Sequence, residues 1–355
     1  MRGIDLRSDT VTEPTSQMRI AMSQAEVGDD GLDGDPTTQK LEELAAELTG
    51  KEAGLLVASG SMGNLTAALS HVPVGNTMFI GQKSHMAWSV DQAHGHPTYG
   101  QIDVETLDEK DGTLPIEQIE NLAKIKEDAG HKVSMISVEN THNQTNGLPI
   151  DLPYMTSLYK SLNLMKAKLH VDGARLFNAA VALETPAYEL VNLADSVSFC
   201  LSKGLACPIG SIVCGSKDFV SEARKQRKIV GGEMRQTGII AAAGIVSLET
   251  MIDRLADDHD NAKYLATGLA EIEGVLINPE DIKTNIVFFE SETKPAVEIQ
   301  KELEDANIHC FAFDNDVPHR KGHIRMVTHY QISKGDIDTT LLTLSNIMKN
   351  GGISG

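Results

Sequence analysis

Lys203 is the residue whose position in this chain most directly suggests covalent chemistry. It lies in a short apolar run, 198–205, and is flanked by Ser202 and Gly204. A lysine removed from water at the end of a buried strand can lose its proton near neutral pH and attack a carbonyl as a free amine. A strand that simply ends at a surface lysine gives the same local pattern. The choice between a reactive and a surface lysine therefore depends on the rest of the chain.

Three features that precede Lys203 suit the same chemistry. A Gly/Ser loop at 59–64 joins an apolar run to a helix and offers backbone N–H groups to a phosphate. His85 follows this loop, and Asp172 then ends an apolar strand, with Arg175 three residues later. A carboxylate at that edge can pair with a protonated pyridine nitrogen. An Asp-Gly turn beside a surface arginine is the alternative interpretation.

Together, a lysine, an acid for a ring nitrogen and a phosphate cup meet the requirements of pyridoxal phosphate (PLP), so the sequence predicts PLP as the cofactor. A nucleotide site at 59–64 is disfavoured, because the loop has neither a P-loop lysine nor Gly-x-Gly-x-x-Gly spacing. A catalytically inactive protein with this fold, used for binding or regulation, is a further alternative. The intact Lys203, Asp172 and phosphate loop argue against it.

Strand-like and helix-like segments alternate through the first two thirds of the chain. The apolar strand-like runs are 53–58, 77–80, 133–138, 169–172, 197–201 and 211–214, and the helical segments among them are 65–69, 116–127 and 152–162. This alternation predicts an α/β domain with a mostly parallel sheet covered by helices. In the predicted strand 169–172, side chains alternate between the two faces of the sheet, so Val171 lies on one face and His170 and Asp172 on the other.

The C-terminal part has a different, α+β pattern. A long helical region, 239–272, is followed by strands at 285–289, 309–313 and 323–327 and by helices at 296–306 and 337–348. We therefore predict a large domain, 1–254, and a smaller domain, 255–355. The segment 1–14 is expected to pack on the small domain or on a neighbouring subunit.

The bulk composition restricts the kinds of partner. The chain has 355 residues and a net charge of −19, which disfavours nucleic acid and anionic membranes because both require a basic face. No run reaches the roughly 20 apolar residues of a membrane span, and no secretion signal is apparent. Its four cysteines include no Cys-x-x-Cys pair and are interpreted as core residues in a reducing cytoplasm. A cytoplasmic enzyme of small molecules is expected.

A series of short motifs resembles the threonine aldolase/β-eliminating lyase family, a group of fold-type-I PLP enzymes. The motifs lie at 5–12, 60–64, 84–85, 139–143, 170–177, 201–205, 231–236 and 325–329, in the family's order. The resemblance covers nearly the whole chain, and the motifs together are far more specific than any one alone. It implies a PLP-dependent transferase-like large domain with a mostly parallel seven-stranded sheet and a smaller α+β C-terminal domain.

The resemblance implies how the cofactor is held. Lys203 would form the Schiff base, Asp172 would bond the pyridine nitrogen and His85 would stack on the ring. The phosphate would be held by Gly60, Ser61, Ser202 and, from a neighbouring subunit, Arg235.

It also implies how the substrate is bound. The substrate carboxylate would meet Ser8, Arg175 and Arg325, with Arg175 also placed to touch the ring oxygen. Because the family forms tetramers built from dimers with shared active sites, we expect a homotetramer. The partners would then be a small amino-acid substrate and further copies of this chain.

Several other polar residues have more than one interpretation. The catalytic base would be His85, His131 or a water. His142 could be catalytic or could support a strand end; the second interpretation is favoured, with Glu139 and Asn143 shaping the loop around the ring oxygen.

Neither a metal site nor a nucleic-acid surface is expected. His94 and His96, taken with His85, match no strong zinc pattern. The basic run 224–228 is interpreted as a solvated helix face or a subunit contact, given the net charge.

The activity implied is cleavage of the Cα–Cβ bond of a β-hydroxy-α-amino acid, L-threonine or L-allo-threonine, to glycine and an aldehyde. A racemase or β-eliminating lyase of the same family would share every cofactor residue and is the alternative. Three places depart from the family pattern: Leu32 replaces a tyrosine, 88–91 lacks the usual aromatic and acidic residues, and Glu233 replaces a glycine. These departures concern the substrate side chain and the threo or erythro preference, because the cofactor positions are intact.

Overall fold

Buried apolar strands and helices alternate along the chain. The computed structural model of the protein describes residues 3–87, 102–313 and 318–351. The strands are β1 (Ile4–Asp5), β2 (Ala53–Val57), β3 (Thr77–Gly81), β4 (Asp103–Leu107), β5 (Val133–Glu139), β6 (Lys168–Asp172), β7 (Ser196–Cys200), β8 (Ser211–Gly215), β9 (Val275–Leu276), β10 (Ile286–Ser291), β11 (Ile308–His309), β12 (Phe311–Ala312) and β13 (Ile324–Val327). The α-helices are α1 (Ser16–Gln24), α2 (Pro36–Thr49), α3 (Gly60–His71), α4 (Ile116–Asp128), α5 (Leu152–Met165), α6 (Leu176–Ala182), α7 (Ala187–Leu190), α8 (Lys217–Ile229), α9 (Gly238–Thr250), α10 (Leu255–Ala270), α11 (Ala296–Asp305) and α12 (Lys334–Gly351).

The main sheet has seven strands in the order β2-β8-β7-β6-β5-β3-β4. Strands β4, β3, β5, β6 and β7 run parallel, whereas β8 is antiparallel to both of its neighbours. Every residue of β3, β5, β7 and β8 is buried, as expected for a parallel sheet covered on both faces. The prediction of an α/β fold with a mostly parallel seven-stranded sheet is therefore confirmed.

Helices cover the two faces of this sheet. The largest core cluster joins strand residues such as Leu169, Val171 and Phe199 to helices that include α1, α2, α5 and α9. On the other face, α3 and α8 pack over β2 and β8. His170 and Asp172 contact α3, so strand alternation distributes the residues of β6 between the two faces as predicted.

A second core lies in the C-terminal part of the chain. An antiparallel sheet of order β12-β13-β10-β9 packs with residues of α10, α11 and α12. The N-terminal strand β1 pairs in parallel with β11, and Leu6 is buried in this second core. The N-terminal segment of the chain is thus attached to the C-terminal core.

The structure corrects several predicted element boundaries. Helix α3 begins at Gly60 rather than at 65, and the region 239–272 consists of two helices, α9 and α10. Helix α2 is capped by Asp35, whose carboxylate accepts a hydrogen bond from the Thr38 N–H at 2.9 Å. Over the described ranges, no helix combines the length and the apolar character that crossing a membrane requires.

Candidate active site

The carboxyl ends of the central parallel strands define one edge of the main sheet. Glu139 and Asp172 are the last residues of β5 and β6, and Lys203 follows the end of β7 by three residues. His85 follows the end of β3, and its N–H donates a hydrogen bond of 2.6 Å to Glu139 Oε2. The structure therefore brings the predicted residues Lys203, Asp172 and His85 to the same edge.

Asp172 is buried and held by two hydrogen-bond donors. Its Oδ2 accepts a 2.6 Å bond from Asn64 Nδ2, and its Oδ1 accepts a 3.2 Å bond from the Ala174 N–H. Each carboxylate oxygen has two acceptor positions, so both oxygens retain capacity for a further donor. Asp172 can therefore accept a hydrogen bond from a ring N–H while keeping its protein contacts.

The N-terminus of α3 lies against the end of β7. A Cβ added to Gly60 would be 2.8 Å from Cys200 Sγ, so a side chain would collide there. Ser59 caps the helix by accepting a 3.2 Å bond from the Met62 N–H. The N–H groups of Gly60 and Ser61 belong to the first turn, where intrahelical acceptors are lacking, and a phosphate group fits them.

Lys203 is half-buried in the turn after β7. Its carbonyl accepts hydrogen bonds from Thr12 Oγ1 and from the Ala206 N–H, both at 2.9 Å. Thr12 belongs to the N-terminal segment, which therefore fixes the backbone that carries the lysine. Ser202 is half-buried beside it.

Arg175 forms a buried, two-pronged ion pair with Asp9. Arg175 Nε and Nη2 donate bonds of 2.7 and 2.8 Å to the two oxygens of the Asp9 carboxylate. Burial alone would raise the pKa of Asp9, but the charge and hydrogen bonds of Arg175 and the nearby charge of Lys203 lower it below its ordinary value. Arg175 Nη1 also donates a 3.4 Å bond to Asn143 Oδ1, so all three of its nitrogens are engaged within the chain, which restricts it as a carboxylate ligand.

Arg325 is a buried arginine at this edge with an unused hydrogen-bond donor. Its Nη1 donates a 3.3 Å bond to Asn143 Oδ1 and its Nη2 a 3.0 Å bond to the Arg7 carbonyl. Among the described residues, nothing accepts a hydrogen bond from its buried Nε. Burial, together with the charge of Arg175, lowers the pKa of Arg325 to about 10. A desolvated cation with an unpaired donor suits an anionic group, and the buried Ser8 is next to Arg7.

His142 lies behind the edge in a buried ion pair. Its Nε2 is 2.9 Å from Glu109 Oε1, and both side chains are buried. Burial would lower the pKa of His142, but the carboxylates of Glu139 and Glu109 outweigh it and raise that pKa. Glu139 accepts bonds from the N–H groups of both His85 and Asn143. Glu139 thus joins the backbone of His85 to that of Asn143, and His142 contacts Glu109.

Some predicted residues do not reach this edge within one chain. Arg235 is 57% exposed, and its guanidinium contacts Asp29 and Glu233. Leu32 is 77% exposed in the loop that contains Asp30. A hydrogen bond from the Asp30 N–H to the Arg235 carbonyl joins this loop to the one that carries Arg235. His131 precedes β5 and therefore lies at the opposite edge of the sheet from Glu139.

Two predictions concern residues that lie outside the described ranges. They concern the stretch 88–91 and the histidines His94 and His96. Elsewhere, within 3–87, 102–313 and 318–351, no group of three or more His, Cys, Asp or Glu side chains is arranged to hold a metal ion.

The basic run on α8 is not a solvated face throughout. Arg227 is 2% exposed and donates to the Leu56 carbonyl at 2.8 Å and to Asp30 at 2.6 Å. Arg224 pairs with Asp30 and Glu42. The interpretation as a solvated face fits Lys225 and Lys228, whose side chains are 68% and 66% exposed and pair with Glu222 and Glu233. Two of these cations therefore tie the loop around Asp30 to the large core.

Asp9 and Asn64 are the site residues that sequence reasoning did not assign. Both lie within motifs that carry the family resemblance, at 5–12 and 60–64, and this was the available signal. Their partners, Arg175 and Asp172, are 166 and 108 residues away in the chain. Local patterns do not report contacts of that range.

Comparison with known proteins gives a consistent result. The profile of the beta-eliminating lyase family matches residues 5–292. The chain is 40% identical over 357 residues to low-specificity L-threonine aldolase 1 of Arabidopsis thaliana, covering 98% of this chain and 97% of the relative. It is 39% identical over 334 residues to the low specificity L-threonine aldolase of Escherichia coli K12, covering 93% and 95%.

Solved structures share the fold at low sequence identity. The threonine aldolase of Leishmania major superposes with a TM-score of 0.80 at 16% identity, covering 97% of this chain and 99% of that one. The serine palmitoyltransferase of Sphingomonas wittichii superposes with a TM-score of 0.78 at 16% identity, covering 99% and 89%.

The fold is that of the fold-type-I enzymes, with a lysine, a carboxylate and a helix N-terminus gathered at the carboxyl edge of the main sheet. Within that class, the chain belongs to the threonine aldolase/beta-eliminating lyase family.

Proposed function

We propose that this protein is a PLP-dependent aldehyde-lyase that cleaves the Cα–Cβ bond of a β-hydroxy-α-amino acid, L-threonine or L-allo-threonine, to glycine and an aldehyde. The observation that carries the proposal is the joint placement of Lys203, Asp172 and the α3 N-terminus at one sheet edge, in a chain 40% identical to a low-specificity L-threonine aldolase. The reaction belongs to threonine breakdown and glycine formation.

The residues present fit PLP. A side chain at Gly60 would occupy the space between the α3 N-terminus and Cys200, so glycine keeps that cradle open for a phosphate. Asp172 retains acceptor capacity beside its two protein donors. Phosphate would be held by Gly60, Ser61 and Ser202, the ring nitrogen by Asp172, and the aldehyde carbon by Lys203.

When bound, PLP supplies an electron sink for the electron pair released as the Cα–Cβ bond breaks. Asp172 keeps the ring nitrogen protonated through a charged hydrogen bond, which preserves that capacity. Lys203 would provide the amine that holds the cofactor. His85, positioned through its N–H by Glu139, would cover the ring face.

Arg325 and Ser8 would orient the substrate carboxylate. The unpaired Nε of Arg325 provides the donor, and Arg175, fixed by Asp9, would approach the ring oxygen. Holding the carboxylate would fix the orientation of the substrate at Cα and so which of its bonds breaks. The proton of the β-hydroxyl would go to His85 or a water, because His131 of the same chain lies at the opposite edge of the main sheet.

A substrate panel tests this proposal against the related activities. The purified protein would be incubated separately with L-threonine, L-allo-threonine, phenylserine and L-alanine, and glycine, aldehyde and D-amino acid would be measured. We expect equimolar glycine and aldehyde from the β-hydroxy substrates. Formation of D-alanine, or of keto acid and ammonia in place of glycine, would instead assign a racemase or a β-eliminating lyase.

We further propose a cytoplasmic homotetramer built from dimers with shared active sites, and a division of each chain at about residue 254. The oligomer proposal is supported by Arg235 and Leu32, which lie exposed on joined loops rather than at the edge that carries Lys203. In an assembly, Arg235 of one subunit would bind the cofactor phosphate in a neighbouring subunit. Leu32 would line the same neighbouring site.

Mixing two inactive variants tests the shared site. Lys203→Ala and Arg235→Ala homo-oligomers should each have little activity. A mixture dissociated and reassembled should regain activity, because hybrid dimers contain one site with both intact residues. The control is each variant taken alone through the same reassembly. Absence of recovery, with hybrid formation verified by native mass spectrometry, would contradict a shared site.

A further inference from the structure

A line of buried polar side chains runs from Asp172 away from the sheet edge. It consists of Asn64 on α3, His170 on β6 and Ser196 and Ser198 on β7, with the half-buried His71 at the far end. Asn64, His170, Ser196 and Ser198 are each at most 2% exposed. Polar groups this deep in a core are costly unless each is hydrogen-bonded, and the arrangement of their protons follows from that requirement.

The carboxylate of Asp172 fixes the orientation of the Asn64 amide. An ionised carboxylate only accepts hydrogen bonds, so the group 2.6 Å from Asp172 Oδ2 has to be the amide NH2 of Asn64. The amide oxygen then faces the opposite way, where it accepts a 2.7 Å bond from Ser198 Oγ and lies 3.2 Å from His170 Nε2.

The amide oxygen in turn fixes the tautomer of His170. Since that oxygen cannot donate, His170 Nε2 carries the proton. Burial lowers the pKa of His170 to about 4, so the ring is neutral and its Nδ1 is an acceptor. Ser196 Oγ, 2.8 Å away, therefore donates to Nδ1.

The same logic reaches His71. Having used its proton on His170, Ser196 Oγ accepts from His71 Nε2 at 2.8 Å. Burial lowers the pKa of His71 to about 3, so this ring is neutral as well. Every donor in the line thus points toward Asp172, in the order His71, Ser196, His170, Asn64.

We infer that Asn64 is a positioning residue for the proposed reaction: held by His170 and Ser198, it presents one fixed donor to Asp172 and so sets the direction from which the carboxylate meets the ring nitrogen. The inference rests on the proposed function. Asn64 touches neither substrate nor reacting atoms, and it acts only through Asp172. The line offers no alternative donor pattern, because reversing any bond would place two acceptors or two donors against each other.

The first test replaces the donor with an apolar side chain of similar size. In the holoenzyme of Asn64→Leu, the 15N resonance of ring-labelled PLP should move from the protonated toward the unprotonated position. The kcat for L-threonine should fall on the order of tenfold, the effect of one lost hydrogen bond to a charged group, with KM changed less than about threefold because Arg325 and Ser8 are untouched. The control, Thr66→Val, removes a buried hydroxyl of the same helix that donates to the Gly63 carbonyl, and should move neither readout.

A second variant adds a signature that mere packing cannot produce. In Asn64→Asp, the protonated acid can donate to Asp172, whereas the ionised acid places two carboxylates together beside the neutral His170. The activity of this variant should therefore fall as pH rises through the titration of the introduced carboxyl group, and that fall should be absent from wild type.

If Asn64→Leu fails to fold, Ser198→Ala should still give a shift of the same sign and smaller size, since it removes one of the two donors that hold Asn64. Unchanged ring 15N resonance in the variants that fold would overturn the inference. The resonance is read without substrate, so it remains informative if the wild type binds PLP but does not cleave threonine. That last outcome would contradict the proposed aldolase activity alone.

Discussion

Replacing Lys203 by alanine should abolish both turnover and the covalent attachment of the cofactor. The amine is the group that bonds the aldehyde carbon of PLP, and no other described lysine follows the carboxyl end of β6 or β7 within three residues. The wild type should absorb at about 410–430 nm, whereas Lys203→Ala should lack this band. Phosphate contacts at Gly60 and Ser61 remain, so the variant should still bind PLP reversibly.

Two controls make this result specific. Borohydride reduction of the wild type followed by peptide mass spectrometry should label Lys203 and leave Lys51 unlabelled. Lys51, which precedes β2, is informative because burial lowers its pKa, yet its ammonium donates 2.6 Å bonds to the backbone carbonyls of Val191 and Ala194. Lys225→Ala removes an exposed lysine and should keep full activity. Full aldolase activity in Lys203→Ala would contradict the assignment of this lysine.

The parts of the site that depend on strand position were predictable from sequence. Lys203 and Asp172 each end an apolar run, and parallel strands deliver such residues to one edge whatever the details of packing. Composition and hydrophobic pattern therefore led to the sheet, its edge and the two residues at adjacent strand ends.

The one strand of the main sheet that hydrophobic periodicity missed, β4, illustrates the limit of the pattern. β4 lies at the edge of the sheet, and of its five residues only Leu107 is buried. An edge strand with polar residues at most positions carries neither a continuous apolar run nor a clean alternation, so hydrophobic periodicity does not detect it.

Charged residues were misjudged where tertiary structure supplies a partner. Arg227 sits in a basic run, and such a run normally indicates a solvated helix face. In the structure it is buried, and the Leu56 carbonyl and Asp30 accept hydrogen bonds from its Nη1 and Nη2. Neither partner is adjacent in sequence, so the burial of Arg227 could not be inferred from the run itself.

Asp9 is the clearest case of this kind, and it connects three separate parts of the chain. Its carboxylate accepts bonds from Arg175, at the start of α6, and a 3.2 Å bond from Asn285 Nδ2, just before β10. Asp9 itself belongs to the N-terminal segment, whose strand β1 pairs with β11. The pair therefore joins the carboxyl edge of the main sheet to the C-terminal core.

Removing this carboxylate should cost much of the stability of the protein. Asp9→Ala would leave Arg175 buried without a counter-ion, and breaking a buried pair in this way typically costs about 3–5 kcal/mol. The free energy of unfolding would be measured in urea at fixed protein and PLP concentrations. The matched control is Asp5→Ala, which breaks the solvent-accessible pair with Arg7 in the same segment and should cost about 1 kcal/mol or less.

The pH dependence of this loss provides an independent check of its electrostatic origin. The folded pKa of Asp9 lies below its ordinary value of 3.8, so the pair contributes fully above that value and loses its contribution as pH falls toward the folded pKa. The difference in unfolding free energy between wild type and Asp9→Ala should therefore be constant from about pH 5 to 8 and shrink only below about pH 4. A difference that shrinks between pH 8 and 6, or a loss no larger than that of Asp5→Ala, would contradict the role of Asp9 as the buried counter-ion of Arg175.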